Sequence, residues 1–172
     1  MMIVRRARLP DAPAMAVVHV DSWRAAYLGL VPVSVLNQLS VRTRTASWER
    51  ILKDGEARGS RSWVAEVGGR ILGFVSAGPS RDDDDHRGQV GEIYAIYLAP
   101  TAWGHGLGGE LLRTAEDDLC ERGYRVVTIW VLAGNTRARR FYEQCGYDAD
   151  GGTQNEEIGP AVLPSVRYRR SL

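Results

Sequence analysis

Lysine is almost absent from this sequence. Lys53 is the only one, so that 21 of the 22 basic residues are arginines. Because 21 acidic residues oppose them, the formal net charge at pH 7 is only +1. The arginines are also scattered along the chain, which argues against an arginine-rich binding surface. A net charge this small excludes a strong overall field, and we therefore expect neither nucleic acid nor an anionic membrane as a partner.

Cysteines and long apolar stretches are scarce as well. Cys120 and Cys145 are too few for the disulfide framework of a small secreted protein. No stretch approaches the roughly 18 uninterrupted apolar residues of a membrane-spanning helix. The first ten residues carry three arginines and lead into no apolar run, which predicts that there is no signal peptide. These absences together predict a cytoplasmic protein.

The composition that remains is typical of one folded domain. The 172 residues are 44% apolar and 25% charged, as in an ordinary soluble globular protein. A chain of this length buries about 70% of its surface on folding, which provides a core without disulfide bonds. No internal repeat or long linker divides it. We therefore predict a single domain over residues 1–172.

The hydrophobic pattern alternates between strands and helices. Runs rich in β-branched and aromatic residues predict strands at 2–6, 61–67, 71–77, 90–98, 125–131 and 166–170. Helices are predicted over 11–28, 33–53 with a break near 40–42, 106–122 and 136–145. Gly68-Gly69 favours a hairpin, since a type I′ turn needs two positive φ angles. The strand–helix–strand unit over 90–131 indicates a parallel pair, so the predicted fold class is mixed α/β.

One glycine-rich turn lies between a predicted strand and a predicted helix. Gly104, Gly106 and Gly108 alternate there, so the backbone can turn tightly and approach a ligand closely. Free N–H groups at the start of a helix form an anion site that suits a pyrophosphate. A P-loop is excluded because no Gly-Lys-Ser/Thr follows, and the spacing is not that of a dinucleotide-binding fingerprint.

Two motifs resemble the GNAT superfamily of acyl-coenzyme A-dependent N-acyltransferases. The first is that family's Arg/Gln-x-x-Gly-x-Gly/Ala loop, which corresponds here to residues 103–108, with Trp103 in place of the usual Arg or Gln. The second is Asn…Ala-x-x-Phe-Tyr-x-x-x-Gly-Phe/Tyr, which corresponds to residues 135–147. The order of elements also resembles that of the family over nearly the whole chain. The resemblance implies a mostly antiparallel sheet of about seven strands flanked by helices, with a splayed parallel pair at the cofactor.

The resemblance also implies a cosubstrate, an acceptor and the residues that bind them. The cosubstrate is acetyl-CoA, and the acceptor is a small-molecule or peptide amine; a homodimer is left open. Cofactor contacts are implied at Ile96, Tyr97, Leu98, Trp103, Gly104, His105, Gly106, Leu107, Gly108, Gly109, Asn135, Ala138, Arg140 and Tyr142. The acceptor site is implied at Trp23 and Tyr27, although packing in the core explains aromatic residues there equally well.

Direct acyl transfer to an amine needs a base, an aimed donor for the oxyanion and an acid for the leaving thiolate. Tyr142 matches the family tyrosine at the thiol and is the candidate acid; packing on one helix face is the alternative. The resemblance implies Glu92 as the candidate base, because several family members have a glutamate at the corresponding position of this strand. Strand alternation then predicts that Glu92 shares one face with Tyr94, Ile96 and Leu98. The alternative is that Glu92 is an exposed charge without a catalytic role near the start of the strand. A chain of water molecules would then act as the base.

Several charged and polar residues carry two interpretations. Asn135 either contacts the cofactor arm or caps the helix that begins at Thr136, and the two roles are compatible. Arginines at 137, 139 and 140 either bind a ligand phosphate or are solvated. The run Asp82–Asp85 either attracts a cationic amine or is a solvated loop. The three histidines show no metal-ligand spacing, so no metal is predicted.

Two functions of different classes fit these observations. The leading prediction is an acetyl-CoA-dependent N-acetyltransferase. The alternative is a non-catalytic acyl-CoA-binding domain that senses or regulates. The presence of both Tyr142 and Glu92 favours the enzyme, because a protein that only binds the cofactor needs neither residue.

Overall fold

A computed structural model describes residues 2–83, 85 and 88–172 as one sheet with helices on both faces. The strands are β1 (Met2–Arg6), β2 (Arg61–Val67), β3 (Arg70–Pro79), β4 (Val90–Leu98), β5 (Val126–Leu132), β6 (Asp148–Ile158) and β7 (Ala161–Ser171). The α-helices within these described residues are α1 (Ala12–Ala26), α2 (Val33–Gln38), α3 (Val41–Asp54), α4 (Leu107–Glu121) and α5 (Thr136–Gln144).

The seven strands are arranged in the order β1-β2-β3-β4-β5-β7-β6. Only the pairing of β4 with β5 is parallel, and the other neighbours are antiparallel. The predicted mixed, mostly antiparallel sheet with one parallel pair is therefore confirmed. The hairpin at Gly68 and Gly69 is confirmed too, with φ angles of 57° and 77°. The strand β6 was not predicted, because its sequence is rich in glycine and polar residues.

The core consists of layers on the two faces of the sheet. On one face α4 buries the stripe Leu107, Leu111, Leu112, Ala115 and Leu119 against β2, β3 and β4. On the other face α1 and α3 pack against Phe74. Because α4 begins directly after β4 and leads back to β5, the loop before it lies at the end of the parallel pair.

The parallel pair separates after four residues. Pairing joins Val90–Ile93 of β4 to Val126–Ile129 of β5 and then stops. Beyond that point residues 95–98 stay paired with β3, whereas residues 130–132 stay paired with β7. The gap between these diverging strand ends, called the splay below, leaves backbone groups on both inner edges without a neighbouring strand. The splayed parallel pair implied by the family resemblance is thus confirmed.

A β-bulge changes the direction of side chains within β4. Ser76 faces Ala95 and Ala77 faces Ile93, so Tyr94 has no partner on β3. Residues before and after the bulge consequently lose the simple alternation between faces.

The predicted common face for Glu92, Tyr94, Ile96 and Leu98 is therefore wrong. Ile96 and Leu98 pack with the core beneath α4. The two neighbours of Glu92 in the strand face α4, so the Glu92 side chain lies on the opposite face of the sheet. A Cβ on Gly91 would meet Leu119 of α4, and Ile93 lies in the same core.

Candidate active site

The glycine-rich turn at residues 104–109 ends in the first turn of α4. Gly104 and Gly106 have φ angles of 77° and 83°, in the left-handed region that favours glycine. Gly106 directly precedes α4, whose first N–H groups have no partner within the helix. A Cβ on Gly108 would lie 3.0 Å from Cζ of Phe141, so this glycine allows α4 and α5 to approach closely. His105, next to these glycines, is exposed. The loop has the geometry of an anion site.

Trp103 connects this loop to β4 and to α5. Its Nε1 donates to the carbonyl oxygen of Leu98 at 3.1 Å. The guanidinium carbon of Arg137 lies 3.1 Å from the centroid of the indole ring. Burial lowers the pKa of Arg137, and no ion pair within the described part of the chain compensates it. Arg137 is therefore a cation available for an anionic ligand beside the splay.

The neighbouring arginines of α5 differ from Arg137. Arg139 donates to the hydroxyl of Tyr168 at 3.0 Å and to the carbonyl of Ala133 at 3.1 Å, which is a structural role. Arg140 is exposed and has no ion pair among the described residues. The interpretation as a phosphate ligand thus fits Arg137 best, while Arg140 stays a prediction.

Tyr142 lies inside the core with its ring among three other aromatic rings. Only 6% of the residue is exposed. Its ring centroid is 5.4 Å from that of Phe141, 6.1 Å from that of Tyr147 and 6.2 Å from that of Tyr168. Burial raises the pKa of the Tyr142 phenol, and nearby Tyr97 adds to the increase. The phenol is therefore protonated at neutral pH and can donate. The packing expected as an alternative is also present.

Tyr97 comes from the opposite side of the splay, where an aromatic cluster covers β4. The ring of His19 lies 4.7 Å from that of Tyr97 and 5.7 Å from that of Trp23. Trp23 in turn meets Tyr27 edge-on at 4.7 Å. Burial raises the pKa of the Tyr27 phenol, and Tyr97 and Tyr142 contribute further. The structure therefore brings the two predicted acceptor residues, Trp23 and Tyr27, into one aromatic cluster with His19 and Tyr97.

Asn135 begins α5 at the edge of this cluster. Its Oδ1 accepts from the backbone N–H of Ala138 at 3.1 Å, so the predicted helix cap is confirmed. The same side chain lowers the pKa of the Tyr27 phenol, which partly offsets the effect of burial. Asn135 therefore both fixes the start of α5 and lies beside the aromatic cluster.

Glu92 is almost fully buried, with 1% of the residue exposed, beneath the side chain of Arg81. The Arg81 side chain donates to Oε1 at 2.6 Å through Nη2 and to Oε2 at 3.2 Å through Nε. The backbone N–H of Arg81 adds a third bond, to Oε2 at 2.9 Å. Both carboxylate oxygens are thus occupied by a forked guanidinium, which leaves little room for a substrate proton.

The acidic run after β3 forms ion pairs instead of standing free in solvent. Asp82 pairs with Arg167 at 2.9 Å and accepts from Nε1 of Trp130 at 3.0 Å. Asp85 pairs with Arg169 at 2.8 Å. Asp84 lies outside the described residues. The interpretation of a solvated loop is wrong for Asp82 and Asp85, and their pairing also weakens the attraction of a cationic amine.

One acidic residue of the β6–β7 hairpin was not singled out by the sequence. Glu156 of β6 accepts from the hydroxyl of Ser165 at 2.5 Å. Ser165 is fully buried and pairs with Leu132, the last residue of β5. The charge of Glu156 contributes to the raised pKa of both Tyr27 and Tyr97. The alternation of Gln154, Glu156 and Ile158 before a Gly-Pro turn is the weak signal that could have indicated this strand.

Among the described residues, no three His, Cys, Asp or Glu side chains gather as a metal ion would require. Within the same part of the chain, none of the helices is both long and apolar enough to cross a membrane.

Comparison with known proteins agrees with this arrangement. Residues 23–147 match the model of the Acetyltransferase (GNAT) family. The Bacillus subtilis protein "Uncharacterized N-acetyltransferase YuaI" is 36% identical over 137 residues, which cover 78% of this chain and 74% of that protein. "Probable N-acetyltransferase Rv2775" of Mycobacterium tuberculosis is 30% identical over 169 residues, or 96% of this chain and 91% of that protein.

Solved structures share the fold at low sequence identity. The PaiA N-acetyltransferase of Thermoplasma acidophilum, solved with coenzyme A, superposes with a TM-score of 0.78 and 15% identity over 100% of this chain and 99% of that one. YncA of Salmonella typhimurium, solved with acetyl-CoA, superposes with a TM-score of 0.70 and 21% sequence identity. The superposition covers 99% of this chain and 93% of that one. The matched family model, the similar N-acetyltransferases and the splayed seven-stranded sheet lead to one conclusion: the chain is an acyltransferase that belongs to the GNAT acetyltransferase family.

Proposed function

We propose that the protein transfers an acetyl group from acetyl-CoA to a primary amine by direct attack through a tetrahedral intermediate. The observation that carries this proposal is the splay, which leaves the facing edges of β4 and β5 unpaired beyond Ile93 and Ile129. An extended pantetheine arm with its amides can pair with such edges as a strand would. The separation of β4 from β5 thus supports a cofactor that lies inside the sheet.

The residues around the splay suit the other parts of the cosubstrate. The N–H groups at the start of α4 and the left-handed glycines would receive the pyrophosphate. Arg137, held on the indole of Trp103, would add a positive charge nearby. Trp103 thus offers a stacking platform where the family has a polar side chain. Of the backbone groups expected to contact the pantetheine, the carbonyl of Leu98 already accepts one hydrogen bond from that indole.

The proposed reaction uses Tyr142 as the acid. Its protonated phenol would donate to the sulfur as the carbon–sulfur bond breaks, which stabilises the departing thiolate. Backbone N–H groups of β4 next to Tyr97 would stabilise the oxyanion. Glu92 as the general base stays a prediction, and the contacts of Arg81 with both its oxygens argue for a structural role.

Cofactor binding and turnover can be tested separately. Acetyl-CoA at 100 times its Kd should add about 2.7 kcal/mol to the free energy of unfolding, and NADH or ATP much less. Release of free thiol from acetyl-CoA is then measured with a panel of primary amines. Equal stabilisation by all three nucleotides would refute the assignment, and binding without turnover of any amine would indicate a sensor domain.

A pair of glycine variants controls for backbone strain. Gly106→Glu places a negative charge in the proposed pyrophosphate site and should abolish stabilisation by acetyl-CoA. Gly123→Glu is the matched control, because Gly123 also has a left-handed φ, of 92°, but follows the far end of α4. The control should fold less stably yet still bind acetyl-CoA. Unchanged binding by the Gly106 variant would leave the loop with a helix-capping role alone.

A further inference from the structure

We propose that Glu156 binds the ammonium group of the acceptor and removes its first proton. This inference rests on the proposed function and names the acceptor's chemistry: a primary alkylamine that is cationic in solution. Glu92 and Glu156 are respectively a buried and a half-buried carboxylate, and their surroundings differ in the respects that matter to a base.

The first difference is position. Glu92 faces Thr128 within the closed part of the pair, before the strands diverge. Glu156 instead faces Leu163 on β7, two residues from Ser165, which pairs with the open end of β5 at Leu132. β6 lies beyond β7 as seen from β5, and Glu156 approaches β5 through its hydrogen bond with Ser165. On this face Trp23 and Tyr27 pack in one cluster with Leu132, Ile158 and Leu163.

The second difference is the partners of the carboxylate. Glu156 accepts one hydrogen bond, from the neutral hydroxyl of Ser165, and has no ion pair among the residues that the structure describes. Glu92 has both oxygens occupied by Arg81. A half-buried carboxylate without a cation is costly to maintain, and a substrate ammonium would supply the missing charge.

The third observation is the aromatic cluster beside this charge. Ile158, two residues from Glu156 and on the same face of β6, packs in one cluster with Trp23 and Tyr27. The charge of Glu156 also contributes to the raised pKa of the Tyr27 and Tyr97 phenols. Trp23 meets Tyr27 edge-on and completes the cluster. Aromatic faces attract an alkylammonium ion and pack against its carbon chain. The site therefore favours a cation on an apolar stem over a neutral or anionic acceptor.

These positions give a balanced proton path. The ammonium loses two protons on its way to the amide. One passes to the carboxylate of Glu156 and then to solvent. The freed nitrogen lone pair forms the carbon–nitrogen bond, the carbon–sulfur bond breaks, and the second proton reaches the departing thiolate by way of Tyr142.

The test compares two adjacent glutamates of β6. Glu156→Gln keeps an oxygen for the Ser165 hydroxyl and removes the charge, whereas Glu157→Gln makes the same change at an exposed position. Acceptors are n-butylamine, 3-phenylpropylamine and cadaverine, with thiol release as the assay. For the amine that wild type uses best, Glu156→Gln should lower kcat/KM by about 10²-fold or more and remove the acidic limb of its pH profile. Glu157→Gln should change kcat/KM less than twofold.

A second readout measures binding of the charge without turnover. The N,N,N-trimethyl derivative of the same amine cannot be acetylated, yet it keeps the positive charge. It should inhibit wild type competitively and the Glu156→Gln variant at least tenfold more weakly. Glu156→Asp keeps the negative charge on a side chain that is one methylene shorter, and it should retain this inhibition. This variant replaces Glu156→Gln in the comparison if the glutamine variant does not fold.

The outcomes separate this inference from the proposed function. Normal turnover and normal inhibition of Glu156→Gln would overturn the role of Glu156 and leave the acetyltransferase intact. If wild type binds acetyl-CoA but acetylates none of the amines, both the inference and the amine acceptor fall. In every variant, thermal stabilisation by acetyl-CoA should match that of wild type.

Discussion

Replacing Tyr142 with phenylalanine separates the chemistry of this residue from its packing. The ring lies among Phe141, Tyr147 and Tyr168, and phenylalanine keeps those contacts. No described group forms a hydrogen bond with the Tyr142 hydroxyl, so its removal leaves no partner unsatisfied. We therefore expect the free energy of unfolding to change by no more than about 0.5 kcal/mol.

The catalytic effect should be far larger. An acid in the transition state contributes about 10²-fold or more to the rate, so Tyr142→Phe should lower kcat by that factor, equivalent to about 2.7 kcal/mol. Acetyl-CoA affinity should stay within about twofold of wild type, because the lost interaction forms as the carbon–sulfur bond breaks. The assay is thiol release at saturating acetyl-CoA and amine.

Tyr168→Phe is the matched control. This tyrosine is equally buried, but its hydroxyl donates to Glu143 at 2.7 Å and accepts from Arg139 at 3.0 Å. Losing both bonds should cost about 1–3 kcal/mol of stability and leave kcat within a few-fold of wild type. The reasoning is refuted if Tyr142→Phe keeps kcat within threefold of wild type, or if the two variants lose activity in proportion to their stability.

Three further predictions follow from charges described above. Arg137→Ala should raise the KM for acetyl-CoA about tenfold with kcat nearly unchanged, and comparison with Arg140→Ala decides which arginine binds phosphate. Glu92→Gln should lower the free energy of unfolding by about 1–3 kcal/mol, because Arg81 loses its charged partner. The shape of the kcat/KM–pH profile should not change. Loss of the acidic limb would instead identify Glu92 as the base. Burial lowers the pKa of His19 to about 4 from 6.5, so the unfolded chain binds more protons between these values. Stability should therefore rise by up to about 3 kcal/mol as the pH increases from 4 to 6.5, and chemical denaturation of His19→Asn should show a flatter curve.

The sequence predicted those parts of the site that depend on interactions between residues close together in the chain. Gly104 and Gly106 could be placed in a turn because only glycine adopts their φ angles easily, and both angles are positive. Asn135 could be assigned as a helix cap because the amide acts on a residue three positions away. The stripe of α4 follows from a period of 3.6 residues.

Other parts depend on contacts distant in sequence. One extra residue at Tyr94 reverses the face of β4, and a bulge of one residue leaves no signal in the hydrophobic period. The pairing of Asp82 with Arg167 spans 85 positions. Glu156 meets the hydroxyl of Ser165 because β6 and β7 form a hairpin that extends the sheet beyond β5, an order that no local pattern contains.

The single lysine acquires a meaning beside an acetyl thioester. Acetyl-CoA slowly acylates amines without help, and a lysine near the thioester would lose its charge in that reaction. A guanidinium stays protonated and is a poor nucleophile, so Arg137 would remain cationic in its proposed place beside the cosubstrate. Lys53, the one side-chain amine, is exposed near the end of α3, among the helices opposite α4 and α5. The protein thus presents almost no side-chain target for its own self-acetylation.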